Sequence, residues 1–208
     1  MKKFILVLLI LVASIPIGYK IATGKYSEKQ PVNFIQSIRM SQTKEGLLSY
    51  KQSIEIKLDM IEKEAPEMEV YFVTITFSQY LNEFELEDLV KRYNLKVHAI
   101  VGRTIEKDTG LKGTFLIGIE DMKIEYDKKD LENMLSRNDA VFKGFIELIA
   151  DVSKRDLCLL KNDERVFLVD VSADSHFVLN PKHEKTKSWD GYMQGIFDGL
   201  EKFGLVKP

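Results

Sequence analysis

The chain has one cysteine among its 208 residues. A single thiol cannot close an internal disulfide, which excludes a disulfide-stapled extracellular mini-domain. Neither sign of charge dominates: 30 Lys and Arg stand against 32 Asp and Glu, for a net charge of −2. The two signs are interspersed. A general nucleic-acid binder needs a basic face to replace counterions on phosphates, so no nucleic-acid partner is expected. The sequence also has no Gly-x-Ser-x-Gly elbow, P-loop or dinucleotide fingerprint. No catalytic residue, cofactor or metal site is therefore assigned, and a binding module is favoured over an enzyme.

The apolar content is ample. Hydrophobic residues make up 45% of the chain and charged ones 30%, enough for a core in one domain with an accessory element. Their first concentration is at the N-terminus. Lys2 and Lys3 precede an apolar run over residues 4–17, interrupted only by Ser14 and Pro16. This is the layout of a signal peptide or signal-anchor, assigned to residues 1–24. Residues 4–19 would rise about 24 Å as a helix, short of the ~30 Å hydrocarbon core. Lys20 can snorkel, and Ile21, Ala22 and Thr23 lengthen the span to residues 4–23. Cleavage after the small residues Ala22, Thr23 and Gly24 is the alternative, without an Ala-x-Ala site. Retention is the preferred reading. It expects a single-pass membrane protein whose C-terminal domain is extracytoplasmic, or a secreted one if the segment is removed.

Residues 25–67 are expected to be a juxtamembrane helical segment. Pro31 suits the first turn of a helix. Leu47, Ile54 and Ile61 recur every seven residues, Leu58 and Ala65 share their side, and Pro66 stops the pattern. The segment can pack on the following domain or form a short stalk or coiled coil.

Residues 68–173 read as an α+β domain. A β-rich stretch over 69–77 is followed by Asn82 and Glu85, the spacing of a capping box, and a helix to about Tyr93. A second strand spans 95–101. An insertion at 103–139 holds an Asp108-Thr109-Gly110 turn, a strand near 114–119 and a helix near 127–135. A long strand over 140–152, a helix begun by Ser153 and Asp156, and a strand over 165–171 complete the domain. Two strand–helix–strand units usually interleave into a four-stranded antiparallel sheet with helices on one face, the ferredoxin-like plan. Residues 174–208 add a polar loop and an amphipathic helix carrying Trp189, Met193, Ile196, Phe197, Leu200 and Phe203.

The stretch Phe142-Lys143-Gly144-Phe145-Ile146 through Leu157, then Asp163-Glu164-Arg165-Val166 and Val169-Asp170-Val171, resembles the second half of the propeptide of subtilisin-like proteases. The resemblance covers residues 141–172. It implies a ferredoxin-like fold able to act as a protease chaperone or inhibitor. The long insertion and the residues following the last strand depart from the family pattern.

Strict alternation places Val73, Ile75, Val97, Ile146, Leu148 and Val169 on the helix-covered face, with Leu89, Val90, Leu157 and Leu160 packed on them. The opposite face then holds Phe72, Ile100, Phe145 and Ile149 among Thr74, Thr76, His98 and Glu147. Such apolar residues on an open face need a cover. The tail helix, with Trp189, is the expected main cover; the helix carrying Leu47, Ile54 and Ile61 and the inserted strand over 114–119 are the alternatives within the chain, and otherwise these four form a candidate partner-binding face. His98 is expected to be a solvent-facing strand residue. His176 and His183 lack metal-ligand spacing. Cys158, within Leu157-Cys158-Leu159-Leu160, reads as a small core residue on a helix.

Overall fold

The computed structural model describes residues 42–119, 127–175, 177 and 194–208. The N-terminal segment, Pro31, Trp189, Met193, His176 and His183 lie outside these. Among the described residues no helix is long and apolar enough to cross a membrane.

The fold is α+β. Helix α1 spans Lys44–Glu64 and is opened by Thr43, whose side chain accepts from the Gly46 amide. It ends at Ala65, as Pro66 requires, and buries Leu47, Tyr50, Ile54, Leu58 and Ile61 along one side. Strand β1 spans Val70–Leu81, helix α2 Glu83–Arg92 and strand β2 Lys96–Glu106. The capping box of α2 forms as its sequence predicts: the Glu85 amide donates to Asn82, and the Asn82 amide donates to Glu85. Strand β3 (Lys112–Gly118) returns antiparallel to β2, and helix α3 spans Lys128–Arg137. Strand β4 (Ala140–Ser153), helix α4 (Lys154–Leu160), strand β5 (Val166–Asp170) and helix α5 (Gln194–Lys202) complete the described elements.

All five strands join one antiparallel sheet in the order β3-β2-β4-β1-β5. Strand β4 therefore lies between β1 and β2, and the two strand–helix–strand units interleave. The sheet has five strands rather than the expected four because β2 runs on to Glu106 and turns back into β3.

The register defines the two faces. Val73 pairs with Ala150, Ile75 with Leu148 and Val169, and Val97 with Ala150. These residues are buried with Leu86 and Leu89 of α2 and Leu157 and Leu160 of α4 in one continuous core. The expected inner face is therefore the observed one. On the reverse face Thr74 pairs with Ile149 and Asp170, and Thr76 pairs with Glu147.

The reverse face has the cover expected of the tail helix over part of its area. Arg103 of β2 and Thr114 of β3 are paired on the reverse face, and Arg103 also forms an ion pair with Asp198 of α5. Tyr80 hydrogen-bonds Glu201 of α5, and its ring meets Phe197 at 5.3 Å. Helix α5 thus covers part of the reverse face. Burying Ile196, Phe197 and Leu200 there removes apolar surface that the helix cannot shield alone.

Candidate functional site

The four residues of the candidate binding face are not brought together on an open surface. Phe72 and Ile149 do share the reverse face, where they form a small buried cluster with Ala99 and Ala173. Ile100 does not join them. The pairing of β2 with β4 shifts between Val97 and Ala99, so His98 is an extra residue. Beyond such a bulge the alternation inverts, and Ile100 pairs with Leu148 on the inner face. Phe145 is fully buried in the main core, with its ring edge-on to Phe142 at 5.0 Å. Their exposures are 5% for Phe72, 4% for Ile149 and 0% for Ile100 and Phe145, so none presents a contact surface.

His98 is half-buried rather than solvent-facing. Its Nε2 lies 3.0 Å from Asp151 Oδ2, and its ring is 5.7 Å from that of Phe72. Cys158 is also half-buried, and burial raises its thiol above the ordinary range.

The reverse face is largely polar, yet it is closed. Thr74, Thr76, Glu147, Asp170 and Arg103 are all buried. Most of these groups are matched. The Tyr50 hydroxyl of α1 donates to Asp170 at 2.5 Å, and the Ser172 amide donates to the same carboxylate at 2.8 Å. The Phe72 amide donates to Asp174 at 2.7 Å. Arg103 pairs with Asp198 and Thr114, and its Nε lies 3.5 Å from Glu201. Lys112 of β3 reaches Glu201 at 2.7 Å. The ion network therefore ties α5 to β1, β2 and β3.

Two groups fall short: the buried Arg103 Nε makes no hydrogen bond, and Glu147 has one weak partner. Glu147 lies at the centre of β4, is 1% exposed, and accepts only a long 3.4 Å hydrogen bond from Thr76. Burial is the main reason its carboxyl is held well above the usual carboxylate range; the Thr76 bond opposes this, and Asp198 adds to it. Its surroundings thus favour the neutral form of the Glu147 acid over the carboxylate. The sequence hint was faint: a charged residue within a strand otherwise reads as solvated.

A second, fully matched cluster sits at the start of β5. Asp163 accepts two hydrogen bonds from the Arg165 guanidinium, at 2.9 and 2.8 Å, and one from the Tyr93 hydroxyl at 2.8 Å. Arg165 also reaches Asp88 of α2 at 2.8 Å. The hydrogen bonds from Arg165 hold the Asp163 carboxyl well below the usual range. This is the Asp163-Glu164-Arg165-Val166 turn, and its work here is to fasten α2 to β5.

The open concave surface lies elsewhere. A cavity of 570 Å³ lies between the β2–β3 hairpin and the C-terminal end of α3, lined by residues including Thr104, Gly113, Phe115, Met134 and Ala140. A groove of 340 Å³ follows β3 along Phe115, Leu116 and Ile117, facing Leu131 and Met134 of α3, with Asp127 and Asp130 at one end. Gly102 makes the β3 side possible. A Cβ there would fall 2.2 Å from Phe115 Cζ, so the tip of the ring occupies the space that a side chain would take. Among the described residues β3 has a strand partner only on its β2 side, and no cluster of three His, Cys, Asp or Glu side chains could hold a metal ion.

No family model, curated protein or solved structure matches the chain.

Proposed function

We propose that the protein is a membrane-tethered extracytoplasmic binding or regulatory module built on a ferredoxin-like sheet. Residues 4–23 provide the tether, and the domain beyond it provides recognition. The interleaved strand–helix–strand units support the ferredoxin-like plan, with β3 as an added edge strand. The same plan is what the resemblance to subtilisin-like propeptides implies.

The observation that carries the binding role is the outer edge of β3 beside α3. An edge strand offers every second backbone N–H and C=O outward. Natural edges are blunted by charge, proline or a bulge, whereas Gly-Thr-Phe-Leu-Ile-Gly over residues 113–118 has neither charge nor proline. The occupant that fits is an extended segment of a protein partner. Its backbone adds to β3, alternate apolar side chains enter the groove over Phe115, Ile117 and Met134, and a Lys or Arg lies towards Asp127 and Asp130.

Two experiments test the reading. A photocrosslinking residue at Leu116 in the full chain should capture a partner in intact cells, whereas one at Leu159, equally apolar and exposed, should not. Capture from Leu159 alone would contradict the edge as the binding site. A tag after Pro208 should be digested when protease is added to spheroplasts; its protection would contradict the extracytoplasmic placement.

A further inference from the structure

The core of the reverse face contains an acid that forms no ion pair, Glu147, within range of the charges of Arg103 and of Asp198 on α5. Arg103 acts on Glu147 only through its charge: its guanidinium bonds Asp198 and Thr114, and its buried Nε, which makes no hydrogen bond, lies 3.5 Å from Glu201. Asp170, on β5, is already held by Tyr50 and Ser172. Thr76 gives Glu147 one long hydrogen bond. The other charged or titratable groups on elements packed around this region are Asp198 and Glu201 from α5, Tyr80 from β1, Tyr50 and Lys57 from α1, and Lys112 from β3; Lys112 is paired with Glu201 and Lys57 is bound to Ser172. A carboxylate formed at Glu147 would thus be dehydrated and would face Asp170 and Asp198 with one shared cation.

We propose that Glu147 is a proton-dependent latch for the C-terminal helix: protonated, it lets α5 close over the sheet, and loss of that proton releases α5. Release would expose both the polar face of the sheet and the apolar side of α5, formed by Ile196, Phe197 and Leu200. The latch does not depend on what β3 binds or on which side of the membrane the domain lies.

The sign follows from linkage. In the closed state Glu147 keeps its proton well above the ordinary glutamate range, whereas in the open state water restores ordinary acidity. Opening therefore releases one proton. Its equilibrium constant should rise about tenfold per pH unit from the ordinary glutamate range up to the point where Glu147 ionises in place.

Hydrogen exchange on the full chain in detergent, read over residues 196–202 and divided by the intrinsic rate at each pH, measures that constant. The expected result is a protection factor that falls about tenfold per pH unit in the native protein. Over the same range protection in α2 should hold steady. Glu147→Gln keeps the shape without the proton and should abolish the pH dependence. If Glu147→Gln does not fold, Glu147→Met serves as the neutral replacement with the same expectation. An unchanged pH dependence in either variant, a pH-independent α5 in the native protein, or loss of α2 protection in step with α5 would each overturn the latch.

Discussion

The two faces of this sheet solve the same burial problem with different chemistry. The inner face is apolar throughout: Val73, Ile75, Val97, Ile100, Leu148 and Ala150 meet leucines from α2 and α4. Its stability comes from area and close packing, which do not respond to pH. The reverse face is equally closed but carries Thr74, Thr76, Glu147, Asp170 and Arg103. Its closure depends on pairing each polar group, and one group is left almost without a partner. Burial alone thus does not distinguish the faces. What distinguishes them is how each responds when one side chain or one proton is changed.

Truncation of the inner face should give the largest effect. Ile75→Ala and Ile146→Ala each remove a fully buried side chain and should cost about 2–5 kcal/mol, measured by urea unfolding. Losses below about half a kcal/mol would mean that the face is not close-packed. Next comes the clasp between α2 and β5. Arg165→Ala leaves the nearly buried Asp163 with Arg92, 3.9 Å away, in place of its close guanidinium partner and should cost about 2–3 kcal/mol near neutral pH. Because the folded protein holds Asp163 below its ordinary range, this contribution is present above that range and is lost as pH falls through the lowered value. The native protein and Arg165→Ala should therefore converge in strong acid.

The reverse face should respond with the opposite sign. Glu147→Gln should stabilise the protein by on the order of 2 kcal/mol at neutral pH, since folding no longer has to hold a proton there. The gain should shrink as pH falls into the ordinary glutamate range, where the unfolded chain is protonated too. A loss of stability at neutral pH would show that the Glu147 carboxylate is charged and satisfied. The smallest change tests the α2 terminus. Glu85→Ala removes half of the capping box and should cost about 0.5–1 kcal/mol, by the same unfolding measurement.

The inner face was legible because alternation, caps and leucine spacing all point the same way. Asn82 with Glu85, Thr74 and Thr76 alternating with Val73 and Ile75, and Pro66 after Ala65 each mark an element by local chemistry. The reverse face was not. A bulge needs no special residue, so nothing at His98 announced the inversion that moves Ile100 to the other side. Arg103 and Glu201 are 98 positions apart in a chain rich in charge, and only the docking of α5 makes them partners. Alternation along β4 is enough to turn Glu147 away from the inner core, but its burial depends on elements distant in sequence. The groove beside β3 was equally hidden, because it exists only where the hairpin and α3 converge.

The most direct measurement of this difference is the titration of the Glu147 carboxyl carbon by NMR, assigned by comparison with Glu147→Gln. The account predicts that the signal stays at its protonated position at neutral pH, whereas in the urea-unfolded chain the same carboxyl has already moved. A Glu147 signal that titrates in the folded protein as it does in the unfolded chain would contradict it, and with it the claim that the reverse face closes over a neutral acid.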